Sequence, residues 1–540
     1  MRKLLTFVTA MFITGSLFAG GLVTNTNQSA MFTRLQNRNA STAIDAVYYN
    51  PAGLTKLGDG FFASINNQTI GQKKTVGTNY QYLGVTPKDY IGKVSAPLFP
   101  GVYLAYNTGN LSFSAGFNPV GGGGGAKYDK GLPSFEMDIA DIAHSLTSQG
   151  IPTSQYSADI YFEGSSVYFG YQANAAYKIN DMLSIAAGVR LVSAKNTYSG
   201  HLTKISINPN NPNFGAAYTG GMVLASDFFT SGAGFLKGIS SSATAAASGL
   251  TTAIGGGLSP ATPLSAMPAA TVAGVTQLLG AAGISAAGMN IGTAAATLYS
   301  VAPAFTAKAN TLTESAVKTQ DTYVDAQETG SGVTPILSVN FSPSDKLNIA
   351  VKYEFKTELN LTTKVKDNKS GGIFVDGKKV VADMPALLAI GAEYKPINRL
   401  LVSASMNVYF DKGVDYDGDP TVNINQIDKN FLEYGLGLEY GLTEKFRVSG
   451  GWVHTSTGVN LNYQSDQTYS TNTNSFGAGF GYRIAPMIDL NIGGQYTLYT
   501  DGSKDYSRTV IPPQTSNNFT ETYKKTTWIA AVGLDFYFGK

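Results

Sequence analysis

Leu347-Asn-Ile-Ala-Val-Lys-Tyr-Glu-Phe-Lys-Thr-Glu-Leu-Asn-Leu361 decides the fold. Leu347, Ile349, Val351, Tyr353, Phe355, Leu359 and Leu361 alternate with Asn348, Ala350, Lys352, Glu354, Lys356, Glu358 and Asn360. Successive side chains of a strand point to opposite faces. One face is therefore greasy and the other carries four charges. Each charge would cost roughly 2 to 4 kcal/mol at the middle of a bilayer, so the charged face is expected to look inward onto a wet lumen.

The same period recurs. Val167, Phe169, Tyr171, Ala173, Ala175, Tyr177 and Ile179 alternate with Tyr168, Gly170, Gln172, Asn174, Ala176 and Lys178. Phe476 to Ile484, Ile488 to Leu498 and Trp528 to Phe538 behave alike. Tight turns fall near Asn107-Thr108-Gly109-Asn110, Asn180-Asp181, Ser342-Pro343-Ser344-Asp345, Pro396-Ile397-Asn398, Leu442-Thr443-Glu444 and Ala485-Pro486. Between them lie long connections at about 71–93, 120–164, 196–332, 362–385, 412–429, 455–473 and 501–522. Six short turns and seven long loops imply fourteen strands, with both chain ends on the side of the short turns. The expected fold is all-β, a 14-stranded antiparallel transmembrane β-barrel with long, partly helical extracellular loops. A soluble β-sandwich also alternates, but its exposed faces would carry Lys and Glu where this chain has Val, Phe, Tyr and Leu.

Composition agrees. Charged residues make up 14% of 540 residues, against about 25% in soluble proteins, while 61 Gly and 31 Tyr suit a lipid-facing wall with interfacial tyrosines. A net charge of +2 gives a nucleic-acid partner no electrostatic support, and the absence of cysteine excludes disulfides and thiolate metal sites. Arg2 and Lys3, then the apolar Leu4 to Phe18 and the small Ala19-Gly20-Gly21, read as an export signal covering residues 1–19. The last strand ends Gly533-Leu534-Asp535-Phe536-Tyr537-Phe538, similar to the aromatic terminal signal of bacterial outer-membrane barrels. The expected location is the outer membrane of a Gram-negative cell.

Asn39 to Leu57 precedes the first strand and does not read as one. Ala40, Ala43, Ala46 and Val47 fall at helical spacing, and Asn50-Pro51 stops any helix, because proline pushes the preceding residue out of the α region. A compact element of this kind is expected to plug the barrel. Asn50-Pro51-Ala52, soon after the start of the mature chain, resembles the hatch motif of the FadL family of outer-membrane transporters for long-chain fatty acids and other hydrophobic compounds. Fourteen strands around an N-terminal hatch is also the architecture that the resemblance implies. The domain plan is residues 1–19 as signal, 20–57 as plug and 58–540 as barrel, with 196–332 its longest loop.

Two features bear on passage of apolar molecules. Residues 238–307 contain no Asp, Glu, Lys or Arg, and Val272, Val275, Leu278 and Leu279 make an apolar stripe at helical spacing. The stripe is either a landing surface for cargo or a seam between helices. The third strand, Leu111 to Phe117, runs into Asn118-Pro119-Val120 and then Gly121 to Gly125. Proline removes a ladder donor and glycine weakens a strand. This is either the top of the strand or a hole with a purpose. The resemblance implies the latter, a third strand kinked inward beside the hatch at Phe117, Asn118, Pro119, Gly121, Gly122 and Gly123.

No catalytic constellation emerges. His144, His201 and His454 are scattered, with no companion at metal-ligand spacing. Asp415, Asp417 and Asp419 resemble the front of a calcium loop, but the glycine is misplaced and the twelfth position is Gln426. No enzyme, cofactor or metal is expected. The expected function is passive uptake of hydrophobic compounds such as long-chain fatty acids, by a monomer in contact with outer-membrane lipid and lipopolysaccharide. Cargo would be captured at the loops and released sideways through the third-strand gap. The rival is a general porin for small polar solutes, and a third reading is a surface receptor using its long loop.

Overall fold

The computed structural model describes residues 22–367, 374–414, 425–510 and 515–539. The signal region and Asp415, Asp417 and Asp419 lie outside them. Fourteen strands form the wall. They are β1 (Gly60–Thr78), β2 (Lys88–Thr108), β3 (Leu111–Tyr128), β4 (Tyr156–Lys178), β5 (Leu183–Ile207), β6 (Thr322–Ser344) and β7 (Leu347–Glu354). Then follow β8 (Leu387–Ile397), β9 (Leu400–Tyr409), β10 (Phe431–Gly441), β11 (Phe446–Ser456), β12 (Thr473–Ala485), β13 (Ile488–Tyr499) and β14 (Thr515–Gly539). Each pairs antiparallel with its sequence neighbours, and β14 returns to β1 from Gly60↔Gly539 to Thr78↔Glu521, closing the cylinder. No helix among the described residues is long and apolar enough to cross a membrane.

The cylinder is lopsided. β1 to β6 and β14 have 18 to 25 residues, whereas about 9 to 11 tilted residues cross a bilayer. β7 to β13 have 8 to 13. The long strands therefore stand well above the membrane on the loop side. The early loops are accordingly shorter than expected. β1 runs to Thr78 rather than stopping near 71, β4 begins at Tyr156, and the longest loop shrinks from 196–332 to 208–321. Above the lipid the outer face need not be greasy, so the two-residue signature fades while the ladder continues.

The 167–179 segment faces as expected, with Tyr171 and Tyr177 exposed and Tyr168, Gln172, Asn174 and Ala176 buried. The 347–361 segment does so only in part. Lys352 and Glu354 are inside, but Lys356 and Glu358 face out, and Thr357, Leu359 and Leu361 take the inner positions. The ladder is interrupted between Glu354 and Asn360, where Thr357 makes an isolated bridge to Met384, and this break shifts the phase. A second strand piece, Asn360–Asp367, then resumes pairing with β6, and Gly502–Val510 likewise pairs with the upper part of β14.

Two short helices, α1 (Ala30–Leu35) and α2 (Ala46–Tyr49), precede the wall, α3 (Pro133–Ser148) follows β3, and the longest loop is a helical hairpin built from α4 (Ala225–Gly255), α5 (Ala269–Ala281) and α6 (Ile291–Lys318). At 1.5 Å per residue α4 alone reaches about 46 Å. Ala243, Ala247 and Leu250 pack with Leu298 and Ala302 in a core of the hairpin's own, the alanines allowing close approach. Part of the 272–279 stripe lies in that core. Val275 is 1% and Leu279 0% exposed, with Leu278 packed against them, so these three line a helix seam, while Val272 stays half-buried beside it. An apolar stripe on a charge-free helix is covered by the nearest apolar helix before any passenger arrives.

Candidate functional site

Residues 22–57 occupy the bore. The segment contains a single helical turn after Ser29 (Ala30–Leu35), one turn at Ala46–Tyr49, and a 3₁₀ helix at Pro51–Lys56. Asn50 between the last two has φ −152° and ψ 73°, outside the α region as its proline neighbour requires. Most of 39–45 is irregular, so the alanine spacing produces less helix than expected. The Asn39 amide there donates to Ser405 Oγ of β9 at 3.2 Å, while the Ser41 amide donates to the Arg38 carbonyl within the plug at 2.8 Å.

Asn50, Pro51 and Ala52 are fully buried against β5 and β6. The Asn50 amide donates to the Ser41 carbonyl at 3.0 Å and to Asn340 Oδ1 at 2.7 Å, and accepts from Ser338 Oγ at 3.1 Å. Ser184 Oγ donates to the Ala52 carbonyl at 2.7 Å. The motif thus fastens the end of the plug to two wall strands near the short-turn side.

Charge pins the rest. Arg34 pairs with Glu439 and donates to Asn491 at 2.9 Å, while Arg38 reaches Asp45 and Glu393 at 3.0 Å each. The Tyr48 ring stacks under two wall cations, Lys352 Nζ at 4.3 Å and the Arg190 guanidinium at 4.9 Å from its centre. Glu354 answers both, accepting from Arg190 at 2.6 and 2.9 Å and from Lys352 at 2.7 Å. Glycines on β10, β11 and β12 make room: a Cβ at Gly437, Gly451 or Gly477 would strike the plug backbone at Leu35 or Thr33. Glu439 and Asn491 for Arg34, and Glu393 for Arg38, lie hundreds of residues away along the chain, beyond any local sequence pattern.

The wall itself is broken beside the plug. β2 and β3 pair from Thr108↔Leu111 to Val102↔Phe117 and again from Val94↔Ala126, but not between. Seven residues of β2 (95–101) and eight of β3 (118–125) thus lack each other. On the β4 side the β3 ladder shifts twice, at Pro119/Gly121 and Gly121/Gly124. Gly122, at φ +91°, takes a backbone conformation that only glycine adopts freely. β3 bends inward there and exchanges its partner for the plug. Asn25 N donates to the Val120 carbonyl at 3.0 Å, Gly122 N donates to the Val23 carbonyl at 2.9 Å, and the Asn118 side chain meets Gln28. Phe117 stays on the outer side, stacked on Phe169 at 5.6 Å. Gly123 is buried in the bend.

The opposite rim carries a sequence signal of its own. Pro97 and Pro100 on β2 carry no N–H to offer β3, and the Pro97 carbonyl is taken by Asn67 Nδ2 at 3.2 Å and Thr69 Oγ1 at 3.1 Å from β1. Leu98, 76% exposed, stands out at this rim. Inside, two apolar clusters meet at the break. The one around the plug includes Val23, Tyr48 and Val120; the one above it includes Ile70, Phe99, Tyr198 and Phe228.

Over the upper cluster lies α3 (Pro133–Ser148), which sends Phe135, Ile139 and Leu146 down into it. Its rim is tied by Glu136 to Tyr90 at 2.7 Å and Tyr156 at 3.0 Å, by the Ser134 amide to Asp466 at 2.8 Å, and by Asp138 and Asp141 to Arg508. The histidines are dispersed: His144 stacks on Tyr82 at 3.8 Å, His201 meets Asp159 at 3.2 Å and His454 meets Asn474 at 3.1 Å.

These features define a plugged, fourteen-stranded transmembrane barrel whose wall is interrupted where the third strand turns onto the plug. The fold is that of the FadL-type outer-membrane channels. The chain is similar to a Pseudomonas aeruginosa FadL homologue over 97% of this chain and 100% of that one, at 12% identity and a TM-score of 0.55. A looser overlap is found with the P. putida toluene transporter TodX, at 13% identity and a TM-score of 0.48 over 92% of this chain and 95% of that one. No protein-family model matches the sequence, and no curated protein does.

Proposed function

We propose that this protein mediates passive uptake of hydrophobic compounds such as long-chain fatty acids across a Gram-negative outer membrane, and releases them sideways through the break between β2 and β3. One observation carries the reading: β3 gives up its ladder with β2 for a ladder with the plug. An unpaired backbone facing lipid is costly unless protein buries it or a cavity is served by it. A bent wall strand held by a movable element supplies both a closed state and a route out.

The cargo explains why a side exit is preferable to a bore. Each methylene gains about 0.8 kcal/mol by leaving water, so a hydrated channel is a poor path and apolar stations are a good one. The upper cluster beneath α3 is the first station, the plug-side cluster around Val120 the second, and the membrane beyond Leu98 the third. Capture is assigned to the mouth formed by the strand extensions and α3, since the hairpin stripe is largely buried. The protein acts as a monomer, with lipid and lipopolysaccharide around its outer face, and no step needs a bond made or energy coupled.

The porin reading would use Lys352 and Glu354 as pore charges. Both are committed, Glu354 to Arg190 and Lys352, and Lys352 to Glu354 and the Tyr48 carbonyl of the plug. Replacing Asn118 to Gly125 by alternating Val and Thr tests the proposal. Uptake of radiolabelled long-chain fatty acid should stop while the barrel still inserts; continued uptake would exclude the side exit.

A further inference from the structure

Tyr161 of β4, His201 of β5 and Tyr323 of β6 are direct ladder partners on the outer face of the wall. Their rings form one row, 5.7 Å between the centres of Tyr161 and His201 and 6.3 Å between those of His201 and Tyr323. A cavity of about 430 Å³ opens outward along the row and reaches Ser199 and Asp325 one step below.

The height of the row sets it apart. Tyr171, Leu191 and Val333, also direct partners, make the uppermost greasy row of the lipid-facing band on these strands. The three rings stand ten residues beyond it on every strand. That is about 33 Å of strand, or about 25 Å of height at a tilt of about 40°. Between the rows the outer face of β5 and β6 is polar, with Ser193, Lys195, Thr197, Ser331, Thr329 and Gln327. Aromatic girdles belong at the edge of the hydrocarbon, so lipid does not account for rings at this level. An outer-membrane barrel is surrounded there by the saccharide of neighbouring lipopolysaccharide.

Charge narrows the ligand. Lys127, whose ammonium lies 5.5 Å from the centre of the Tyr161 ring, is 3.3 Å from Asp129. Lys204 is 3.9 Å from Asp159, which also meets His201 Nε2 at 3.2 Å, and Lys366 is 3.4 Å from Asp325. These lysines are matched by carboxylates, which disfavour a phosphate beside them. Sugar hydroxyls find acceptors in Asp159, Asp325 and Ser199, and the tyrosines offer apolar faces to the C–H side of a pyranose. Directly above the row the β4–β5 ladder slips between Ser157 and Asp159, and Lys204 holds φ +55°. Strain of this kind in a non-glycine residue gathers at binding sites.

We propose that the Tyr161–His201–Tyr323 row binds a neutral pyranose ring in the core saccharide of a neighbouring lipopolysaccharide molecule. This rests on the outer-membrane reading and adds a fixed lipid neighbour to it, on strands that do not form the break between β2 and β3.

The test titrates purified protein in zwitterionic phospholipid nanodiscs with core oligosaccharide freed of acyl chains and phosphate, followed by calorimetry. Saturable binding is expected, weakened about threefold to tenfold by Tyr161→Ala or Tyr323→Ala, the loss of one aromatic contact. Tyr161→Phe, which keeps the ring, and Tyr171→Ala, in the lower row, should both bind as the wild type does. No saturable binding by the wild type, or unchanged affinity in both outer-row alanine variants, overturns the site. Tighter binding of the phosphorylated core overturns the neutral ring, and equal affinity for dextran overturns the assignment to lipopolysaccharide. A wild type that binds the core oligosaccharide but takes up no fatty acid would end the transport reading alone.

Discussion

The Gly122 amide donates to the Val23 carbonyl at 2.9 Å, so a strand of the wall and the leading segment of the plug share one short ladder. Gly122 holds φ +91°, and a Cβ there would meet the Ser166 carbonyl of β4. Gly122→Val should cost about 1–2 kcal/mol in the left-handed conformation and draw β3 off the plug. Fatty-acid uptake should fall at equal surface expression; wild-type uptake at wild-type expression would separate the bend from transport.

Asn50 holds three partners at once. Asn50→Ala leaves Asn340 and the Ser41 carbonyl without their donor, a loss of about 1–3 kcal/mol for buried polar groups. The loss falls on the plug alone. Planar-bilayer recordings should show more frequent openings than the wild type, with barrel mobility on a semi-native gel unchanged. A variant as quiet as the wild type would remove Asn50 as an anchor.

Glu354 and Glu358 stand four residues apart in one alternating stretch, yet one is buried between Arg190 and Lys352 and the other faces solvent. Glu354→Ala strands two buried cations, a cost of about 3–5 kcal/mol, and should lower the unfolding temperature sharply. Glu358→Ala should change stability by less than about 0.5 kcal/mol. Equal effects would contradict the phase shift at Thr357.

The hairpin seam and the hairpin root should part company. Deleting 238–307 from the protein, or placing Asp at Val275, should leave uptake near wild type, because those residues pack only on the hairpin. Phe228 is fully buried in the upper cluster beside Tyr218, ring centres 5.2 Å apart. Phe228→Asp should depress uptake. The reverse order would return capture to the hairpin.

The seat of α3 responds to acidity. Burial raises the carboxyls of Asp138 and Asp141 above their ordinary range, with Arg508 pulling the other way. A carboxyl with a raised folded value takes its proton more readily in the seated helix than in the released one. Seating therefore strengthens as pH falls from neutral through the raised values, and no further once both states are protonated. Amide exchange in α3, corrected for intrinsic rates, should be slower at about pH 5 than at about pH 7.5; faster exchange at the lower pH would reverse the sign.

How much of this was readable follows the solvent. Within the bilayer the two-residue period is enforced by lipid, and 167–178 could be assigned side chain by side chain. Above it the enforcement ends, so Gln72-Lys73-Lys74-Thr75 reads as an ordinary basic loop although Lys74 is buried in a ladder. Asn118-Pro119 and the glycines marked one rim of the break through local backbone rules. Pro97 and Pro100 marked the other by the same rule. Val23 and Arg34 could not be read, since their roles exist only after a cylinder has brought residues 100 to 450 positions apart into one cross-section.

The joint between first and last strands has a mechanical corollary. All 19 residues of β1 find a partner on β14 with no slip in register. A cylinder riveted so firmly at its ends does not give way there under load. Lateral strain from a swelling acyl load or a thinning bilayer would concentrate at the unstitched seam between β2 and β3, making that spot a built-in expansion joint.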